Sequence, residues 1–328
     1  MTWLEVSKDI YSIKEKIEKL WHPSTNIYFL LCDTHGGHLY DAGYAIRASF
    51  NQFLTDFRDL YKNLKKEGKL APNAQFSNVV YKIILSHDHH DHASGAPLLK
   101  RVFPNAKIVA TKSTMRLLAD SSSQNGTGEA GLGVSNGFLQ NLLMKVFYRF
   151  MNVPDAIEVD EIVRDGDYLS CDKQKIKCVC DGGHAPGQLL LYQEEDQILL
   201  SSDLILANIS TWLGPPHSDY VSYKRFMNRL LSMPISTILP AHGRIIQNPK
   251  ERIQELIRFR RLREKQIIEC CSKKPRTVRY ITRMIYSERG IRTLFIAQGM
   301  VELVTNYLVS KGELRVIEKK GKRVFVKI

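Results

Sequence analysis

The chain has 328 residues and a mass of 37.6 kDa, with 44% hydrophobic and 25% charged residues. That composition excludes a disordered chain, a collagen and a disulfide-dense mini-protein, and at about 100–200 residues per domain it predicts two domains. The charge is unusual: 47 Lys and Arg face 34 Asp and Glu, a net of +13, which suits an anionic partner if the excess is concentrated on one surface.

In chain order, residues 26–32 (NIYFLLC) read as a buried strand, 33–38 (DTHGGH) as a Gly-rich turn and 39–43 (LYDAG) as a second strand. The period then changes. Ile46, Phe50, Phe53, Leu54, Phe57, Leu60 and Leu64 recur at three-to-four spacing, which predicts an amphipathic helix within 44–70, stopped by Gly68 and Pro72. Residues 79–85 (VVYKIIL) form a buried strand that runs into residues 86–92. A helix over 96–103 and a strand over 107–110 follow. Residues 121–137 are rich in Gly, Ser and Asn and read as a mobile loop, before an apolar helix over 138–150. Strands are predicted around 158–163, 175–180, 189–193 and 197–201, then a helix over 220–233 and a short strand over 237–239.

Beyond Gly243 the composition shifts. Residues 244–328 carry 22 Lys and Arg against 8 Asp and Glu, while residues 1–243 carry 25 against 26. The basic excess therefore belongs to the last 85 residues. They read as a long helix over 249–271, helices over 278–287 and 295–310, and a hairpin over 313–327 around a Lys-Gly turn. Helices followed by a hairpin is the order of a winged helix, so a domain boundary is expected at 248/249. A phosphate-binding role for this region competes with plain solvated helix faces. The helix over 295–310 holds Glu302 and no Lys or Arg, which disfavours sequence-specific DNA reading.

Six cysteines show no CxxC pair and no zinc-ribbon spacing, so free thiols in a reducing compartment are expected. The first 21 residues are too charged for a signal peptide, and no run of 18 apolar residues exists. A cytoplasmic protein without a transmembrane segment is the expectation.

The chemistry concentrates at strand ends, where α/β folds place their sites. Residues 86–92 (SHDHHDH) hold the pattern H-x-H-x-D-H just past a strand of core character. In an extended segment His87 and His89 point the same way and can chelate one ion, and a turn lets Asp91 and His92 face a second. Gly183-His184-Ala185-Pro186-Gly187, Ser202-Asp203 and Pro240-Ala241-His242-Gly243 each add one ligand at a later strand end. Imidazole and carboxylate suit zinc.

With Tyr40-Asp41-Ala42-Gly43, this ordered set resembles the metallo-β-lactamase-fold hydrolase superfamily over residues 26–243, in particular its branch with a C-terminal winged helix. The resemblance implies an α/β fold: a four-layer αββα sandwich over 1–248 as the catalytic domain, with a helical, winged-helix domain over 249–328. It implies that His87, His89 and His184 hold one metal, that Asp91, His92 and His242 hold a second, and that Asp203 bridges them. The cofactor would be two zinc ions per chain, with iron or manganese as alternatives. Asp41 would hydrogen-bond within the site; Asp33 competes for that place but lies at the turn before the second strand. His89 stands where flavodiiron oxygen reductases carry Glu, and Asp203 fills a position that lactam-hydrolysing members lack, so neither activity is expected. The extra motifs of members that mature tRNA 3′ ends are missing.

The expected reaction is attack of a hydroxide shared by two metals on an ester-type bond (thioester, lactone or acyl ester), with Asp91 orienting the nucleophile and taking a proton. Trp212 and His217, in residues 211–219 (TWLGPPHSD), and Phe138 and Phe147 in the apolar helix are candidates for walls of a pocket for a small-molecule or acyl substrate. That apolar helix equally suits a core or homodimer contact. Two other readings stand: an endoribonuclease or phosphodiesterase acting on single-stranded RNA held by the basic C-terminal region, and a non-enzymatic, zinc-stabilised regulator that binds nucleic acid.

Overall fold

A computed structural model describes residues 3–15, 24–119, 154, 156–215, 217–288, 291–319 and 321–328. The expected loop over 121–137 and helix over 138–150, with Phe138 and Phe147, lie outside the described residues.

One sheet has seven strands in sequence order: β1 (Trp3–Ser7), β2 (Ile10–Glu15), β3 (Thr25–Leu31), β4 (Gly37–Tyr40), β5 (Val80–Ile84), β6 (Lys107–Thr111) and β7 (Glu161–Val163). β1 to β4 pair antiparallel, whereas β4 to β7 run parallel because helices carry each crossover. These helices are α1 (Arg47–Lys66), the single turn α2 (His90–Ala93), α3 (Ala96–Val102) and α4 (Lys112–Ala119). The second sheet is ordered β12-β11-β10-β9-β8, with β8 (Tyr168–Leu169), β9 (Ile176–Asp181), β10 (Gln188–Gln193), β11 (Ile198–Ser202) and β12 (Thr237–Pro240). Helix α5 (Tyr220–Leu231) carries the parallel crossover from β11 to β12.

Period-two alternation sorts side chains into layers. Tyr28, Leu30, Tyr40 and Ile84 from the first sheet meet Leu189, Leu191, Leu200 and Leu239 from the second in an apolar layer between them. The intervening residues face outward: Ile27, Phe29 and Leu31 pack with Phe53, Phe57 and Phe103 of the first helical layer. Leu190 and Leu199 pack with Tyr223, Phe226 and Met227 of α5 in the second. The result is the four-layer αββα sandwich. Two tyrosine hydroxyls stitch the sheets together: Tyr28 donates to the Pro240 carbonyl at 2.8 Å and Tyr40 to that of Leu189 at 2.6 Å.

After β12 come α6 (Pro249–Cys270), α7 (Val278–Ile285), α8 (Ile291–Ser310) and the hairpin β13 (Leu314–Lys319) and β14 (Lys322–Lys327). Their apolar side chains continue the outer layer of the second sheet: Ile253, Leu256, Ile267, Val301 and Phe325 belong to the same buried cluster as Met227. No helix among the described residues is long and apolar enough to cross a membrane.

Several expectations are corrected. β4 runs from Gly37 to Tyr40 rather than over 39–43, because Asp41 turns the chain with φ of 68°. α8 begins at Ile291, four residues before the expected start, so Arg292 falls inside it. α4 was not anticipated, since its eight residues are too few for a clear period. The thiols are not all free. Cys32 and Cys171 form a disulfide, with Cα atoms 4.5 Å apart across 139 residues of sequence. Sequence spacing could not show that pairing, because the fold alone brings the end of β3 beside the segment after β8. Cys178, Cys180, Cys270 and Cys271 form no disulfide among the described residues.

Candidate metal centre

The site lies at the sheet edge where β5, β9, β11 and β12 end. β5 delivers Ser86 and His87, and the turn that follows carries His89 to His92 into α2. Gly95 donates to the Gly43 carbonyl and Ala42 to that of His92, so residues 42–43 and 92–95 lock together. Gly183 sits against α5, where an added Cβ would fall 2.6 Å from the Tyr223 Cα. That close approach sets His184 at its place in the site. Ser202, with φ of 47°, bends the chain so that Asp203 turns inward; strain of this kind recurs at functional sites.

The structure brings seven side chains together in two groups that share Asp203. His87, His89, His184 and Asp203 form one, and Asp91, His92, Asp203 and His242 the other; within each group one ligand atom from each residue lies within 4.8 Å of the others. His242 Nε2 is 3.2 Å from Asp91 Oδ2 and 3.1 Å from Asp203 Oδ1. His92 Nε2 is 3.5 Å from Asp203 Oδ1, and His184 Nε2 is 3.8 Å from Asp203 Oδ2.

Four of the five imidazoles are held from behind at Nδ1. His87 bonds to Ser86 Oγ at 2.9 Å, His92 to Asp41 Oδ2 at 2.8 Å, His184 to the Trp212 carbonyl at 2.7 Å and His242 to that of Ser24 at 3.0 Å. Each bond fixes ring orientation and leaves the Nε2 lone pair for an ion. The Nε2 atoms of His87, His92 and His184 are buried without hydrogen-bond partners. Buried polar atoms in folded proteins as a rule have hydrogen-bond partners. Their convergence therefore fits a cation, or a pair of cations, as the missing partner.

The electrostatics carry the same message. Burial, then the charge of neighbouring His92, pushes His87 well below its ordinary value. Burial and His89 push His184 down to about 4. Both rings are neutral and ready to ligate. Burial opposes charge on His242, yet the carboxylates of Asp203 and Asp91 outweigh it and raise this ring to about 10. Asp91, Asp41 and Asp203 likewise raise His92 against its burial. The metal-free chain thus balances its buried carboxylates with imidazolium protons, which bound cations would displace.

Asp41, expected to hydrogen-bond within the site, does so: its Oδ1 also accepts the Ser86 N–H at 2.9 Å. Asp33 lies elsewhere, bonding the amides of His35 and Gly36 in its own turn. Trp212 serves through its carbonyl, and its ring lies against Gly214. A cavity of about 700 Å³ opens between residues 208–210 and α6 to α8, lined by Arg252, Phe259, Arg263 and Tyr286 rather than by Trp212 or His217.

Sequence reasoning missed several supporting groups. Ser86 and Ser202 meet Oγ to Oγ at 2.8 Å behind His87. Thr211 Oγ1 lies 3.2 Å from His184 Nδ1. Glu15 is buried beside Gly43, accepting from Tyr44 N and Ser49 Oγ. Single polar residues inside apolar strands were the available signal, and it is a weak one.

The metallo-beta-lactamase superfamily model matches residues 78–242, half of the chain and all seven of these side chains. The chain belongs to that superfamily. Among curated relatives, a beta-lactamase-like protein 2 homolog of Caenorhabditis elegans is 26% identical over 159 residues, 48% of this chain and 52% of that one. An atrochrysone carboxyl ACP thioesterase of Aspergillus fumigatus is 20% identical over 186 residues, 57% of this chain and 45% of that one. The matched stretch is thus about half the length of either relative. A solved beta-lactamase domain protein from Burkholderia ambifaria superposes with a TM-score of 0.79 at 19% identity, covering 99% of this chain and 93% of that one. This last likeness spans the C-terminal helices and hairpin as well as the sandwich, and shows the shared fold.

Proposed function

We propose that the chain is a dinuclear metal-dependent hydrolase of an ester-type bond in a small or acyl substrate: a thioester, lactone or acyl ester. The observation that carries this reading is the pair of ligand groups sharing Asp203, with orphaned Nε2 atoms aimed into common space. His87, His89, His184 and Asp203 would hold one ion, and Asp91, His92, Asp203 and His242 the other. Zinc suits this donor set. When bound, such a pair polarises the substrate oxygen and brings the pKa of water near neutrality.

The chain's own residues do the rest. Asp91, beside His242, orients the attacking water through a carboxylate oxygen and accepts its proton. Asp41 holds His92, and the Trp212 carbonyl holds His184, so the ligand rings need no reordering during turnover. The thioesterase among the relatives supports the acyl substrate class.

The RNA reading draws on the basic C-terminal region. Part of that charge is spent inside the protein, however. Arg260 is buried, Arg252 binds the carbonyls of Leu206 and Ile209, and Arg263 stacks on Tyr286. Metal analysis of the purified protein, then a screen of thioesters, lactones, acyl esters and single-stranded RNA against Asp91→Ala, tests the proposal. Metal-dependent ester turnover lost in Asp91→Ala is expected. RNA cleavage without ester turnover would replace the ester reading with the ribonuclease one.

A further inference from the structure

Helix α6 reaches the metal centre from outside the sandwich. Arg260 on this helix is 2% exposed, and its Nη2 donates to the Thr211 carbonyl at 2.5 Å. Its guanidinium lies over the Tyr223 ring at 5.2 Å. Nε has no partner, so the bond to Thr211 is the only hydrogen bond of this side chain among the described residues. A buried guanidinium so lightly satisfied is costly, and a packed apolar side chain would stabilise the fold at least as well. Its burial against the Thr211 carbonyl points to something that it holds.

What it holds is the seat of His184. Thr211 Oγ1 and the Trp212 carbonyl both meet His184 Nδ1, at 3.2 and 2.7 Å. About two turns earlier on α6, Arg252 donates Nε to the Leu206 carbonyl at 2.8 Å and Nη2 to that of Ile209 at 2.7 Å. The two arginines therefore grip three carbonyls of the segment that joins Asp203, shared by both ligand groups, to the backbone behind His184. An Arg fork can hold a carbonyl at fixed distance where a lone ammonium cannot match its planar geometry.

We propose that Arg260 is a positioning residue for the metal centre, setting the affinity of the ion held by His87, His89, His184 and Asp203 through the Thr211–Trp212 backbone. This rests on the metal-centre reading above. Partners that orient a ligating histidine are typically worth about 10–100-fold in metal affinity.

The test is titration of the metal-free protein with Co²⁺, followed by absorbance, for the parent chain, Arg260→Met, Arg260→Lys and Arg263→Met. The parent is expected to take up two ions. In Arg260→Met one step weakens about tenfold or more while the other moves about threefold or less. Arg260→Lys recovers part of the loss. Arg263→Met, which removes a guanidinium from the same helix without a bond to residues 203–212, behaves as the parent. Parent-like binding by Arg260→Met, or equal weakening of both steps, overturns the proposal. Should the Met variant not fold, Arg260→Lys and Thr211→Val carry the test, and an unchanged step in both overturns it. A parent chain that binds no ion sinks the metal-centre reading itself and this inference with it.

Discussion

Asp41 and His92 form the tightest buried charge contact of the site: Oδ2 to Nδ1 at 2.8 Å, with 1% and 0% of the two side chains exposed. The other Asp41 oxygen takes the Ser86 N–H. Both carboxylate oxygens therefore accept. In Asp41→Asn one of these acceptors becomes an NH₂, so either the Ser86 amide or the His92 Nδ1–H faces a donor. We expect metal affinity at the Asp91, His92, Asp203 and His242 group to fall about 10–100-fold. Competition with a chelator of known affinity measures it, and an unchanged affinity would exclude the orienting role of Asp41.

Metal loading should release protons. His242, raised to about 10, is charged at pH 7 in the metal-free chain and must lose its proton to ligate. Calorimetric titration with zinc in buffers of different ionisation enthalpy should show at least one proton released per chain at pH 7. Binding that weakens as pH falls from 8 to 6 is the companion outcome. Proton-neutral binding would contradict this account of the charge balance.

The metal-free chain should lose stability as pH rises. Glu15 is raised to about 8, chiefly by burial, and His242 to about 10 against its burial by Asp203. Both folded values lie above the unfolded ones of 4.5 and 6.5. Their stabilising contributions are thus complete below the unfolded values and are lost as pH climbs through about 8 and about 10. Melting in chelator should give a Tm that falls between pH 6.5 and 10, less steeply in Glu15→Gln. A flat profile would mean that neither group shifts as described.

Cys32 and Cys171 should resist thiol reagents. Under denaturing, non-reducing conditions four thiols of the six cysteines are expected to react, and all six after reduction. Cys171→Ser should cost on the order of 2–4 kcal/mol of stability, since the bridge closes a long loop in the unfolded chain. Six reactive thiols before reduction would show the pair to be open.

Gly183→Ala should separate fold from site. The new Cβ meets the backbone of Tyr223 on α5, which cannot yield as a flexible side-chain tip would. A loss of about 2 kcal/mol or more is expected, together with weaker metal binding through displacement of His184. Thermal melts with and without zinc separate the two effects, and a parent-like melt would show that α5 can give way.

Much of the site could be read before any coordinates, because metal ligation demands particular residue types at strand ends. His87, His89, Asp91 and His92 lie within one short segment, and the other three candidate ligands stand among small residues that tolerate close approach. The strands were found through their period. What escaped were pairings between segments distant in sequence. Neither Cys32 with Cys171 nor Arg260 with Thr211 leaves a local pattern, since each exists only after the layers close. Arg260 stands in a basic stretch whose sequence fits either solvated helix faces or a phosphate-binding surface, whereas its burial removes it from both.

The ligands divide between the two sheets. Four follow β5 in the first, and three follow β9, β11 and β12 in the second. Neither sheet alone brings together either group of four. On the proposed metal reading, a captured cation would cross-link halves of the sandwich made at different times during synthesis. High-affinity uptake would then report that the chain has already closed.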